Sequence, residues 1–460
     1  MIAALGSTLS RWSRRLVPDP LVLALALTAV ALLAGYGYLA ASDIETENGV
    51  FWTVTIGWTK GMTGVKTLAF ALKMGLILIT GYAIACSPPV AAGLDWVAGK
   101  PGSAASATVL VALVSCLAAV VHWGLGMIAG ALLARNLAKR ARARGLRLHY
   151  PLLGAAAYSG FAVWHGGLTG SAPTLMASRA HLGQSTGVVP MSETVFSPMN
   201  LIITASLIAL IALVARALLP RDPADFVEYD EERHPPLAAS PAAPASPGDG
   251  TSGHLVDWLQ ESRIPGAVGG GLALSVIVAG LTAGHLAMDL DTVVLGFLFL
   301  SLALHGSISA YVGVVASGSR GVGAILVQFP LYGGILGILQ ASGLIAELSH
   351  GLAQMANAHS FPVIAFLSAG VLNLFIPSGG GQWIAQGDIL LHAGTDLGVD
   401  PSTTILAFSY GDAWSNMLQP FWALPILAIM GLRARDIIGY TAVIFLALGI
   451  ALPALLLLLP

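Results

Sequence analysis

Charge is what this chain has least of. Only 10% of its 460 residues are Asp, Glu, Lys or Arg, 56% are hydrophobic, and the mean hydropathy is +0.80. Soluble domains carry about 25% charged residues, so a soluble globular fold is excluded and the chain reads as an all-α polytopic membrane protein. The formal net charge is -2, so no basic surface argues for nucleic acid. Cysteine is also scarce. Cys86 and Cys116 both lie in apolar runs, which excludes a disulfide framework and a zinc site. No P-loop, metal-ligand cluster or Ser–His–Asp arrangement stands in the sequence. Its Gly-rich stretches lack the Lys-Ser/Thr that phosphate cradling needs. No cofactor or metal is expected, and the chain is not read as an enzyme.

Apolar runs fill the space that charge leaves. The first, Leu21 to Ala41, follows Arg11, Arg14 and Arg15. It is longer than the roughly 7–15 residues of a signal-peptide core, so it reads as a retained membrane helix with the N-terminus in the cytoplasm. At about 20 residues per crossing, the runs together predict about ten to twelve membrane segments. Arg221 to Arg263 is the long polar exception, with Pro235-Pro236 and a stretch of Ala, Pro, Ser and Gly. Such composition cannot bury a core, so it reads as a disordered linker. It divides the chain into an N-terminal membrane repeat (1–219), a cytoplasmic linker (220–263) and a C-terminal membrane repeat (264–460).

Two breaks interrupt the apolar runs. One is His122-Trp123-Gly124-Leu125-Gly126; the other is Pro377-Ser378-Gly379-Gly380-Gly381, within the stretch Asn373 to Asp388. Pro377 cannot continue a helical ladder, and consecutive glycines resist helix. Adding 255 to His122, Gly124 and Gly126 gives Pro377, Gly379 and Gly381, and adding it to Lys73 gives Gln328. Adding 252 takes Tyr158 to Tyr410 and Trp164 to Asn416. Because interruptions coincide as well as apolar runs, an internal repeat is favoured over chance likeness of Gly-rich helices.

Loop charge gives its direction. Loop 135–149 holds Arg135, Lys139, Arg140, Arg142, Arg144 and Arg147, so it is read as cytoplasmic. Its counterpart around His392 to Asp400 has no Lys or Arg. The loop near Met176 to Glu193 has only Arg179 as a firm positive charge, whereas its counterpart carries Arg433 and Arg435. Matching loops on opposite sides predict two inverted-topology repeats with broken helices or re-entrant hairpins. On this scheme Leu68 to Ala98 is a candidate re-entrant hairpin with its tip near Ser87-Pro88-Pro89, unless Phe51 to Gly64 also crosses.

Inverted repeats of this kind bind substrate between their breaks, near mid-membrane. Bare backbone at that depth is tolerated where it lines a polar cavity. The substrate candidates are therefore His122, Trp123, Gly124 and Gly126 from the first break, Ser378, Gly379, Gly380, Gly381 and Gln382 from the second, and Asn416. Main-chain N–H groups of 379–382, the Ser378 hydroxyl and the Gln382 amide suit one carboxylate. Trp123, Trp383, Phe375 and Ile376 suit a short aliphatic tail. Asp412 is the candidate coupling residue, since ionisable groups inside a membrane are functional by default. His165 reads more readily as a packing residue, and Lys73 as a snorkelling one.

Ile376-Pro377-Ser378-Gly379-Gly380-Gly381-Gln382-Trp383, Gln386-Gly387, Gln419-Pro420-Phe421-Trp422-Ala423-Leu424-Pro425 and Arg435-Asp436-Ile437 resemble the bacterial short-chain fatty acid transporter family. Trp123-Gly124-Leu125-Gly126 and Leu16-Val17-Pro18-Asp19-Pro20-Leu21 look like the same family. The resemblance implies a secondary transporter of the bacterial inner membrane for acetoacetate- or butyrate-like monocarboxylates. Departures are Gln382, where His or a similar residue is expected, His122, where Asn is expected, and Asp412, where Glu is usual. The combined reading is symport of a small monocarboxylate, coupled to H+ with Na+ as the alternative ion. A dicarboxylate or amino acid cargo is the first rival; a channel or membrane-embedded enzyme is a remote one. A homo-oligomer stays open.

Overall fold

The computed structural model describes residues 2–16, 18–42, 44–177, 187–234, 254–286, 288–419 and 421–459. Arg179 and Pro235-Pro236, used above for loop charge and the linker, lie outside them. In the N-terminal half the helices are α1 (Ile2–Leu16), α2 (Pro20–Ala41), α3 (Val50–Thr63), α4 (Val65–Ala85), α5 (Pro88–Ala98), α6 (Ala104–Val121), α7 (Trp123–Ala143), α8 (Tyr150–Ser159), α9 (Ser171–Met176) and α10 (Pro198–Ala217). The C-terminal half has α11 (His254–Glu261), α12 (Arg263–Thr282), α13 (Leu290–Leu304), α14 (Ile308–Ser319), α15 (Val322–Ala341), α16 (Leu344–Ala353), α17 (Phe361–Asn373), α18 (Gly379–Asp396), α19 (Pro401–Ser415), α20 (Leu424–Met430) and α21 (Ala434–Leu458). Among the described residues, seven helical stretches are long and apolar enough to cross a membrane. The shorter apolar helices 290–304, 308–319 and 361–373 add to them.

The element order repeats. Shifting α3, α4, α5, α6 and α7 by about 255 residues lands on α14, α15, α16, α17 and α18. The broken helix α8–α9 then answers to α19–α20, and α10 to α21.

The structure corrects the sequence reading on where the hairpins lie. Of the two alternatives for Leu68 to Ala98 the hairpin does not hold: α4 and α5 run on along α7, with Gly81 against Gly124 at its start and Asp95 paired with Arg140 near its end. Phe51 to Gly64 is helical, and α3 and α4 together form a 36-residue candidate span. The hairpins are instead at the two breaks, which turn the chain back. Ser115 Oγ donates to the Gly126 carbonyl at 3.1 Å. A Cβ on Gly126 would meet Ala119, and one on Gly130 would meet Ser115. That pairing makes α6 and α7 antiparallel arms with His122 at the tip. In the second half Gln382 reaches the Ala369 carbonyl and Gln386 reaches Ser368, so α17 and α18 pair likewise. Each tip has one extended residue, His122 (φ -159°, ψ 117°) or Ser378 (φ -153°, ψ 92°). Each of these accepts, through its side chain, the N–H three residues on and so caps the returning helix.

Residues 223–234 depart from the disordered-linker expectation. The Val227 N–H donates to the His149 ring Nδ1 at 3.0 Å and its carbonyl accepts the Tyr150 N–H at 2.8 Å, Arg147 pairs with Glu228 at 2.5 Å, and Lys139 with Glu231 at 3.1 Å. Tyr229 is buried, edge-on to Tyr150 at 5.0 Å. The basic loop is thus partly neutralised by an acidic strap. Packing should outweigh charge here. Tyr229→Ala should cost about 3 kcal/mol, whereas Glu228→Gln with Glu231→Gln should cost less than about 1 kcal/mol per exposed pair. Thermal melting of the detergent-solubilised protein reads the difference; equal losses would mean that the charges hold the strap.

Candidate functional site

The broken segment after α8 and the middle of α19 meet in the interior. Gly160 seats the first closely on α6 and Gly411 seats the second closely on α17, because a Cβ at either would collide with the backbone of Ser115 or Phe366. The contact brings His165 to Asp412. His165 Nδ1 lies 2.9 Å from Asp412 Oδ2, and both side chains are fully buried. The surrounding bonds assign the tautomer. The Ala172 N–H donates to His165 Nε2 at 3.0 Å, so Nε2 is the acceptor, and Nδ1 keeps the proton and donates it to the carboxylate. Asp412 Oδ1 is buried and has no hydrogen-bond partner among the described residues.

The second hairpin tip rests on this pair. A Cβ on Gly379 would lie 2.6 Å from His165 Cε1 and 3.2 Å from Asp412 Oδ2, and one on Gly380 would press on Phe70. Gly381 donates to Ser378 Oγ at 3.2 Å, and the Gln382 N–H to the Ser378 carbonyl at 2.7 Å. Among the described residues, only the Gly379 and Gly380 N–H groups of that turn lack an acceptor. The expected four-donor cradle is therefore reduced to two. Gln382 differs further from expectation: its NH2 donates across the hairpin to the Ala369 carbonyl (2.8 Å) and along its own helix to Gln386 Oε1 (3.2 Å), while its Oε1 is buried without a partner among the described residues.

Behind the tip, Asn373 ties hairpin to broken helix. Its Nδ2 lies within 3.0 Å of the Asp412 carbonyl, Ser415 Oγ and Asn416 Oδ1, while Gln419 Nε2 donates to its carbonyl at 2.5 Å. Asn416 sits in this network and also accepts Tyr158 OH through its carbonyl. Asn373→Ala should destabilise the protein by about 1–3 kcal/mol, because buried acceptors lose their donor; detergent melting measures it, and an unchanged midpoint would mean the network is slack.

The first tip has a different neighbourhood. His122 Nδ1 accepts from Leu125 N–H, so Nε2 carries the proton, buried and without a partner among the described residues, with the ring 4.2 Å from that of Phe297. The Trp123 N–H donates to Thr169 Oγ1, and its ring packs among Phe161, Trp164 and Trp422. Gly124 lets the tip approach Gly81 and the Ile77 carbonyl of α4, and Gly126 lets the arms close on Ala119. These two glycines serve packing. Trp164 stacks on His165 at 4.4 Å, so an aromatic path joins the two tips. From sequence His165 reads as a packing residue and Asn373 carries no role. His165 lies 247 residues from its partner, and no spacing rule connects them.

The model of the family described as "Short chain fatty acid transporter" matches residues 1–459. The chain belongs to this family. It is a family of membrane transporters, not of enzymes. An Escherichia coli K12 relative named "Putative short-chain fatty acid transporter" is 34% identical over 453 residues, covering 97% of each chain. A Haemophilus influenzae relative of the same name is 32% identical over 457 residues, covering 97% of this chain and 98% of its own. The Alcanivorax borkumensis YdaH transporter, whose structure is described as having an unusual topology, aligns over 95% of this chain and 98% of its own with a TM-score of 0.50 at 15% identity. That likeness is one of fold. Among the described residues, no cluster of three or more His, Cys, Asp or Glu could hold a metal ion.

Proposed function

We propose that this transporter carries short-chain monocarboxylates across the bacterial inner membrane in symport with protons, and that Asp412 carries the proton. The observation behind the coupling role is the free Asp412 Oδ1, buried beneath the second hairpin tip with His165 on the other oxygen. Protonating Oδ1 removes a buried charge, so occupancy of this atom changes the electrostatics beside Gly379 at the second hairpin tip. A substrate carboxylate is best held there when Asp412 is neutral, which ties substrate to proton. A short tail would have to part the packed rings of Trp123, Trp164 and Trp422, whose apolar faces suit it.

The halves 1–219 and 264–460 are read as inverted repeats around this site, with the N-terminus cytoplasmic. Tyr150, at the start of α8, donates to Met430, at the end of α20, so corresponding broken helices run in opposite directions. The basic stretch 135–149, the end of α7 and the loop after it, favours that side as cytoplasmic.

A second reading has Na+ as the coupling ion. It draws on three buried oxygens without partners among the described residues, Asp412 Oδ1, Asn373 Oδ1 and Gln419 Oε1, since oxygen ligands suit a hard cation. Uptake of labelled butyrate and acetoacetate into proteoliposomes under separate proton and Na+ gradients decides between them. Proton-driven uptake is expected. Uptake driven only by Na+ would transfer the coupling role to the oxygen cluster, and no uptake of either acid by folded protein would overturn the cargo.

A further inference from the structure

Helix α1 has three distinct faces. Gly6, Ser10 and Ser13 face the protein: Gly6 approaches Leu218 and Tyr440, Ser10 lies against Gly439, and Ser13 Oγ donates to the Arg435 carbonyl at 2.7 Å. Leu5 and Trp12, seven residues apart on a second face, are 42% and 63% exposed. Arg11 and Arg15 project from a third, and both are exposed. Arg11 bonds Thr8 within its own helix. Among the described residues, neither arginine pairs with a carboxylate.

The level of α1 is fixed by what it touches. Leu218 follows the end of α10, Arg435 and Gly439 lie at the start of α21, and α2 begins four residues after α1 ends. Three candidate spans terminate there. Tyr440 also bonds His149 at 2.7 Å, so this is the same surface as the basic loop. At the end of three spans, packed alongside the first turns of α21, a helix with Trp and Leu on one outer face and arginines on the other has the amphipathic character of a bilayer-interface binder.

We propose that α1 binds anionic phospholipid, with Leu5 and Trp12 entering the acyl boundary and Arg11 and Arg15 holding the phosphate-bearing headgroups. The choice of anionic lipid rests on charge complementarity: two exposed guanidinium groups stand beside an inserted aromatic, with no protein carboxylate taking them up. The chemistry requires a headgroup with net negative charge, because a zwitterionic one supplies its own cation. This inference does not depend on the cargo or the coupling ion.

Native mass spectrometry of the full-length protein, released from detergent with phosphatidylglycerol or phosphatidylcholine, tests it. The wild type is expected to retain phosphatidylglycerol several-fold more than phosphatidylcholine. Arg11→Gln with Arg15→Gln should remove most of that preference. Lys60→Gln with Lys66→Gln, an equal loss of exposed charge elsewhere, should keep it. Melting temperature is read on the same samples: added phosphatidylglycerol should raise it for the wild type and the lysine variant, and much less for the arginine variant. Equal retention of both lipids by the wild type, or an undiminished preference in the arginine variant, would overturn the proposal.

Discussion

Asp412→Asn is expected to lower proton-driven uptake at least roughly tenfold, a loss of about 1.4 kcal/mol of coupling or more, because the variant has no oxygen there that can take up and release a proton. The replacement is close to isosteric. Asparagine can keep its side-chain oxygen toward His165 Nδ1–H, so the 2.9 Å contact and the seat of the second hairpin tip should survive. What disappears is an oxygen that can be charged or protonated. Stability should change little. The wild-type carboxylate is buried and partnered on one oxygen only, and replacing a half-satisfied buried charge by a neutral group is often close to neutral. Counterflow separates the roles. If substrate exchange persists while gradient-driven uptake falls, Asp412 carries the coupling proton. If exchange falls equally, Asp412 holds the substrate or the tip. If both persist, the coupling assignment is lost.

His165 extends the same logic. Its two ring nitrogens are fixed by Ala172 and Asp412, so a glutamine there could donate to Asp412 but would not keep the ring stacked on Trp164. His165→Gln should therefore reduce uptake as well, and a shifted pH profile would mark its effect as acting through Asp412.

The membrane class, the two breaks and the intramembrane Asp412 were legible because each leaves a local trace: an apolar run, a Pro/Gly interruption, an isolated charge. The turn-back at those breaks was not. A run that stops at Val121 and resumes at Trp123 looks the same whether the second segment continues or reverses. The reversal shows only in Ser115 meeting Gly126 and Gly130, with glycine allowing the arms to touch. The role of Gln382 was hidden for a similar reason. Its amide is as capable of binding a ligand as of binding Ala369, and only the fold says which partner is near. Phe226 to Tyr229 sits beside Pro/Ala-rich sequence, yet its aromatic rings give it something to bury, a signal that average composition conceals.

Gly379→Ala is the second large effect. The obstacle is steric rather than conformational, since Gly379 has no positive φ. The added Cβ would fall 2.6 Å from His165 Cε1, closer than a real Cβ contact allows. The imidazole has nowhere to retreat. Ala172 holds one nitrogen, Asp412 the other, and the Trp164 ring covers its face at 4.4 Å. The tip must give way instead, against the bonds that Asn373 and Gln419 make behind it. Overpacking of this kind costs about 1–3 kcal/mol, and a tip lifted from the pair removes the Gly379 and Gly380 N–H groups from the place where a carboxylate would be held. Uptake should fall at least roughly tenfold, as expected for misplacement of this order, with the protein still monodisperse. Gly93→Ala is the control, because a Cβ there meets nothing within 4 Å. A Gly379→Ala protein that transports like the wild type would mean the tip is not seated on His165 and Asp412 when substrate is bound, and the site would have to be sought nearer His122, whose buried Nε2–H is also unpartnered among the described residues.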